Sequence, residues 1–192
     1  MKNMKKLTFK LACFFLSLLV SSVAMAESIT SPNGLLKLNV SVNEKGQPVY
    51  ELSYKGKEVI KPSKLGLELK DDPGLMDGFT LSDAKTSSFD ETWEPVWGEV
   101  KQIRNNYNEL AITLDQKAQD RKMVIRFRLY NDGFAYRFTT NIKDSIIVHN
   151  EIAQYQFSQN YPVWVPYVKD SEHKSIEQQF FSSFENQYTC LL

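Results

Sequence analysis

Apolar and polar residues alternate along much of the chain after residue 35, and this period of two is typical of β-strands with one buried face. In the first such segment, residues 36–42, every second residue is Leu or Val. Similar alternation recurs in residues 50–54, 65–69, 110–114, 123–129 and 134–138. We find no comparable helical stripe of apolar residues before residue 170. The pattern therefore predicts a protein built of strands.

Short turn sequences join these predicted strands. Residues 43–47 contain Gly46 between two strands, and Asn131, Asp132 and Gly133 form a tight turn before the last one. Such connections are too short for the crossovers of a parallel sheet. We therefore predict an all-β fold in which two antiparallel sheets pack their apolar faces together. Residues 71–92 are polar and rich in turn residues, and they are predicted to form a long loop around a short strand.

Composition narrows the class of protein. The 192 residues are 42% hydrophobic and 24% charged, which excludes wholesale disorder. Two cysteines cannot form a disulfide framework or a zinc cluster. A net charge of zero gives no reason to expect a nucleic-acid partner.

The first 26 residues have the three parts of a secretory signal peptide. A basic start is followed by an apolar run over residues 11–20 and by the small residues Ala24 and Ala26. We expect cleavage after Ala26 and a periplasmic or secreted protein. The apolar run is too short to cross a bilayer core of about 30 Å, so a membrane anchor is the less favoured alternative and no membrane span is predicted.

Cleavage would change the charge and the thiol content. The segment holds four lysines and no acid, so 19 of the 23 basic residues remain against 23 acidic ones, a net charge of −4. Cys190 would be the single remaining thiol. We expect residues 27–192 to form one domain without a disulfide.

Motifs of catalysis are missing from the sequence. It has no phosphate-binding loop, no nucleophile elbow and no His-Glu-x-x-His pair. His149 and His173 stand apart from other ligand-type residues and are interpreted as surface or loop residues. The residues by themselves therefore predict no catalytic residue and no metal site.

Two tryptophans among carboxylates form a first candidate site. Trp93 and Trp97 lie in a stretch that also holds Asp90, Glu94 and Glu99. Sugar sites combine aromatic faces with polar hydrogen-bonding groups, and sugar hydrolysis needs two carboxyl groups about 5–10 Å apart. The sequence favours the alternative, in which both tryptophans are core or interface residues.

Aromatic residues near the end of the chain form a second candidate. Residues 161–167 read as an aromatic strand interrupted by prolines and contain Trp164, and a prolyl strand is expected at a sheet edge. Glu185 and Tyr188 follow within a short polar segment. These three side chains are candidates for carbohydrate contact, and a structural or disordered tail is the alternative.

The order of several short motifs resembles a known family. The motifs are Ser88-Phe89-Asp90-Glu91-Thr92-Trp93, Pro95-Val96-Trp97-Gly98-Glu99 and Ile125-Arg126-Phe127-Arg128-Leu129-Tyr130-Asn131-Asp132-Gly133. The series resembles the N-terminal domain of glycoside hydrolase family 97, in particular that of the starch-utilisation α-glucosidases of Bacteroidetes. The resemblance covers about residues 28–168 and extends more loosely to 189.

The resemblance implies a galactose-mutarotase-like super-β-sandwich beside a (β/α)8 barrel that carries the catalytic carboxylates. It also implies a calcium ion held by glutamates in the full-length family. We expect the chain to stop before the barrel, as an incomplete N-terminal domain, so no catalytic residue is carried over. The calcium-binding glutamate is not assigned to Glu185, and no cofactor is expected in this chain.

Three functions remain open from the sequence. The first is the N-terminal domain of an α-glucosidase or α-galactosidase, inactive without the missing barrel domain. The second is a free-standing periplasmic module that binds an α-glucan or α-galactoside. The third is a docking module for a separate catalytic chain. Whether the chain itself is an enzyme is left open, and the fold alone does not license epimerase activity.

Overall fold

The computed structural model describes residues 26–70, 73–166 and 188–191. Within those ranges the regular structure is β-strand apart from one 3-10 turn, Lys117–Gln119. The chain divides into two compact units, Met1–Gln156 and Phe157–Leu192. Residues 1–25 of the predicted signal peptide lie outside the described residues, and cleavage of the signal peptide stays a prediction.

Two antiparallel sheets make up the first unit. The strands up to residue 157 are, in chain order, β1 (Glu27–Thr30), β2 (Leu36–Val42), β3 (Pro48–Tyr54), β4 (Lys57–Leu69), β5 (Thr80–Trp93), β6 (Ile103–Gln116), β7 (Arg121–Leu129), β8 (Phe134–Thr140), β9 (Val148–Ala153) and β10 (Gln156–Phe157). The first sheet has the order β1-β2-β3-β4, and both β9 and β10 pair with β4. The second sheet has the order β5-β6-β7-β8.

One hydrophobic core lies between the sheets. The first sheet contributes alternate residues of its strands, among them Leu38, Val40, Tyr50 and Leu65. The second sheet contributes Leu110, Ile112, Leu114, Met123, Ile125, Phe127 and Leu129, all fully buried. Removing each such side chain from water contributes about 1.5–3 kcal/mol. The antiparallel sandwich predicted from the alternation is therefore confirmed.

The predicted turns are confirmed as well. Gly46 has a φ of 72°, and its amide donates to the carbonyl of Asn43 at 2.8 Å. In the second turn the amide of Tyr130 donates to the carbonyl of Gly133 at 2.8 Å. Both turns return the chain directly into a neighbouring antiparallel strand.

The prediction of a long loop over residues 71–92 was wrong for most of that segment. Residues 80–93 form β5, a strand of 14 residues. This strand lies at the edge of the second sheet and pairs with β6 alone, and nearly all of its side chains are exposed. Backbone hydrogen bonds hold it, so its side chains do not need the alternation that identifies a half-buried strand.

The second unit contains a two-stranded antiparallel sheet. Its strands are β11 (Val163–Pro166) and β12 (Tyr188–Leu191). Within the proline-containing strand predicted at residues 161–167, residues 163–166 are a strand that ends on a proline, in a sheet where each strand is an edge. Residue 167 lies outside the described residues. Among the residues that the structure describes, no helix is long and apolar enough to cross a bilayer.

Candidate functional site at the β5–β6 hairpin

A two-stranded ribbon extends the second sheet beyond its other strands. Strand β7 pairs with β6 only as far as Asn108, whereas β5 pairs with β6 as far as the pair Trp93 and Ile103. Ile103 lies five positions along β6 from Asn108, so the ribbon projects by about 17 Å at roughly 3.3 Å per residue. We call residues 93–103, at its far end, the hairpin tip.

Aromatic rings anchor the base of this ribbon. Phe89 and Tyr107 lie opposite each other on the two strands, and their rings stack with centroids 5.3 Å apart. Tyr130 packs against Tyr107 at 5.4 Å, and the guanidinium of Arg128 lies 4.4 Å from the Tyr107 ring centroid. Tyr107 is consequently buried although its side chain is on the face of the sheet that points away from the core.

An ion pair joins the two strands halfway along the ribbon. The Nε and Nη2 atoms of Arg104 donate to the two carboxylate oxygens of Asp90 at 2.8 and 2.6 Å. The hydrogen bond from Arg104 holds the pKa of Asp90 below its usual value. A general acid in sugar hydrolysis needs a raised pKa, so this carboxylate is unsuited to that role.

Exposed apolar side chains cover the hairpin tip. Trp97 is 89% exposed and Val96 is 98% exposed, and Trp93, Val100 and Ile103 are also exposed. Polar support is sparse: the amide of Gln102 donates to Glu94 at 3.2 Å near the base of the loop. Trp93 and Trp97 are therefore not core residues. Of the alternative interpretation, in which they are core or interface residues, only the interface role remains open.

The five predicted carbohydrate-contact residues lie in different parts of the chain. Trp93 ends β5, and Trp97 lies in the loop of the same hairpin four residues later. Trp164 lies on β11 opposite Cys190, and Tyr188 begins β12 opposite Pro166. Glu185 lies outside the described residues. Sugar contact by these residues stays a prediction.

A metal site is not formed by the described part of the chain. Within residues 26–70, 73–166 and 188–191, no three His, Cys, Asp or Glu side chains come together as metal ligands.

Sequence reasoning missed one cluster on the outward face of the second sheet. Glu109 accepts hydrogen bonds from Arg126 and Arg128, and Arg128 also covers the ring of Tyr107. The sequence shows that polar positions alternate with apolar ones in β6 and β7, which places Glu109, Arg126 and Arg128 on the outward face. Only the register between those strands shows that these side chains meet.

Comparison with protein families gives a match over most of the chain. The family model described as "Glycosyl-hydrolase 97 N-terminal" matches residues 29–191. A retaining alpha-galactosidase of Bacteroides thetaiotaomicron is 31% identical over 186 residues, covering 97% of this chain and 27% of the relative.

Solved structures show the same fold. A glycoside hydrolase family 97 enzyme from Pseudoalteromonas sp. strain K8, in complex with panose, superposes with a TM-score of 0.68 at 24% identity, covering 73% of this chain and 22% of that one. A beta-arabinopyranosidase gives a TM-score of 0.70 at 22% identity, covering 85% and 26% of the two chains. The chain thus spans about a quarter of the length of these relatives.

Proposed function

The chain belongs to the glycoside hydrolase family 97 N-terminal domain family, and from this premise we propose that it supports the catalytic barrel of an α-glycosidase. The observation that carries the proposal is the exposed apolar hairpin tip. We infer that the tip packs against the catalytic domain, while the sandwich behind it supplies a rigid base.

The chemistry of the tip favours protein contact. Val96, Val100 and Ile103 are aliphatic, and aliphatic side chains gain by packing against a protein surface rather than by stacking on a sugar ring. A two-stranded ribbon is only marginally stable in water by itself. An exposed apolar group of this kind is a typical protein contact, and docking would stabilise the ribbon that carries it.

The activity proposed for the whole protein is hydrolysis of an α-galactoside or α-glucoside. Support comes from the retaining alpha-galactosidase, of which this chain spans 27%. In this proposal the catalytic carboxylates and the calcium ligands belong to the remaining part of the enzyme. The 192-residue chain should therefore show no turnover of nitrophenyl α-galactoside or α-glucoside, and clear turnover would contradict the proposal.

Docking can be tested in a chimera in which this chain replaces the matching segment of the Bacteroides retaining alpha-galactosidase. Substituting Val96→Ser and Trp97→Ser should lower the melting temperature and the activity of that chimera. The same two substitutions should leave the melting temperature of the isolated chain unchanged. Ile147→Ser and Val148→Ser are the controls, because these two neighbouring residues are also exposed apolar side chains and lie outside the tip. Equal effects of both pairs would count against docking through the tip.

Carbohydrate binding is a second candidate function, favoured by the exposed ring of Trp97 in a hairpin tip that also contains the hydrogen-bonded pair Glu94 and Gln102. Titration of the chain with maltooligosaccharides and with α-galactosides, followed by tryptophan fluorescence, tests it. Saturable quenching that is lost in Trp97→Ala but kept in Trp164→Phe would support a sugar-stacking platform. No change in fluorescence and no heat by calorimetry would remove this function.

A further inference from the structure

Arginines are concentrated on the outward face of the second sheet. Arg126 on β7 lies directly opposite Arg137 on β8, and Arg128 lies opposite Ala135 one row away. Together with Tyr130 and Tyr136, these residues line a cavity of about 180 Å³ at the surface of the two strands. We call this cavity the arginine cleft.

The pairing of Arg126 with Arg137 is unfavourable for the fold alone. Like charges directly opposite each other on neighbouring strands are destabilising. One carboxylate, Glu109, serves two of the three arginines, with distances of 3.1 Å to Arg126 and 2.8 Å to Arg128. Among the residues that the structure describes, Arg137 has no carboxylate partner. The cleft therefore carries an excess positive charge that the sandwich does not use.

The net charge of the protein does not explain the excess positive charge of the arginine cleft. After removal of the predicted signal peptide, 19 basic residues face 23 acidic ones, a net charge of −4. Since the molecule as a whole repels anions weakly, the three arginines form a local exception. A local excess of fixed positive charge in a cleft attracts an anionic group.

The guanidinium groups of the cleft are held before any ligand arrives. Arg126 and Arg128 are each fixed by Glu109, and Arg128 is also packed over the ring of Tyr107 at 4.4 Å. Holding the donors in place lowers the entropy lost when a ligand binds. Each guanidinium has five N–H donors, so those that bond Glu109 keep donors for a second acceptor.

We propose that the arginine cleft binds a carboxylate-bearing ligand of the size of one sugar acid. The planar fork of arginine matches two oxygens of an anionic group such as a carboxylate, and a volume of about 180 Å³ accommodates one sugar ring. The negative charge of the ligand follows from the cleft alone, whereas the choice of a carboxylate on a sugar ring rests on the proposed function. The cleft is distinct from the hairpin tip, which contains none of these arginines.

Calorimetric titration of the full chain with galacturonate tests this site, with galactose as the uncharged counterpart and sulfate as an anion without a ring. We expect saturable binding of galacturonate that weakens with added salt, and at least tenfold weaker binding of galactose and of sulfate. Equal binding of galactose would overturn the carboxylate site. Sulfate binding as tightly as galacturonate would overturn the sugar-acid assignment.

Arg137→Gln should weaken galacturonate binding at least tenfold, and Lys85→Gln is its matched control. Lys85 lies in the same cross-strand row through Ala111 and loses the same charge, but it does not line the cleft. Arg126→Gln provides a second variant, and the melting temperature of each variant verifies folding. An equal loss of binding in Lys85→Gln would overturn the proposal. If galacturonate does not bind, the docking proposal for the hairpin tip still stands, because the chimera experiment measures docking of the catalytic domain.

Discussion

Gly46 shows how strongly one turn residue constrains this fold. Its φ of 72° is in the left-handed region that favours glycine. A Cβ atom at this position would lie 2.5 Å from the backbone nitrogen of Phe79 and 2.7 Å from that of Gly78. The turn between β2 and β3 therefore packs against the backbone that leads into β5, and no side chain fits between them.

We predict that Gly46→Ala destabilises the protein by about 3 kcal/mol or more, because backbone strain and a backbone clash add. Gly56→Ala is the matched control. Its φ of 74° gives similar strain, but nothing lies within 4 Å of the added Cβ, so it should cost only about 1–2 kcal/mol. Urea unfolding of the two variants measures the difference. Equal destabilisation would show that the clash is relieved by a small movement of the turn.

Glu109 adds a pH-dependent contribution. Burial raises the pKa of this carboxyl group, but hydrogen bonds from Arg128 and Arg126 outweigh burial and leave the pKa below its ordinary value of 4.5. The stabilisation is therefore fully present above pH 4.5. It is lost as the pH falls through the lower pKa of the folded state.

Glu109→Gln should accordingly destabilise the protein by about 1–2 kcal/mol at pH 7, and the difference from wild type should shrink below pH 4.5. Unfolding free energies measured from pH 3 to pH 7 test this. Glu99→Gln is the control, since Glu99 is exposed in the hairpin tip and the structure gives it no hydrogen bond among the described residues. A difference that grows toward acid pH would contradict the assigned sign.

The strands differ in the contacts that stabilise them. Strands β6 and β7 each have a neighbour on both sides and bury one face in the core. The ribbon beyond Asn108 has one partner per strand and no core face. Its cohesion comes from the Phe89–Tyr107 ring stack and from the exposed Asp90–Arg104 pair, which is screened by solvent.

Hydrogen exchange should therefore divide β6 into two parts. Amides that are paired within the ribbon, at residues 103–107, should exchange at least tenfold faster than the amides of residues 110–114. The core half of the same strand is the internal control. Uniform protection along β6 would show that the ribbon is stable without a partner. Slower exchange of the ribbon in the chimera would add to the case for docking.

The whole molecule is expected to act after export. We predict that the mature protein recovered from the periplasm or the medium begins at Glu27, because the small residues Ala24 and Ala26 fit signal peptidase. N-terminal sequencing measures this. Replacing Ala24 and Ala26 by Leu should leave a larger precursor. A secreted protein that retains Met1 would contradict the signal-peptide prediction.

The core strands were predictable from local pattern, and the edge strand was not. The alternation in residues 36–42 gives the bounds of β2 as the structure has them. Both β5 and the outer part of β6 were missed, because exposed strands need no apolar alternation. Trp93 and Trp97 were identified as candidates from the sequence, but their exposure follows from a ribbon that only the pairing of β5 with β6 reveals.

The sequence by itself determined the all-β sandwich, its main turns and the resemblance to family 97, because apolar alternation and turn residues act over a few neighbours. Only the tertiary structure decided which outward-facing residues meet. The contact of Arg126 with Glu109 and its position opposite Arg137 depend on the register of three strands. Register is fixed by the packing of the whole core, since a shift by one residue would turn every buried side chain outward.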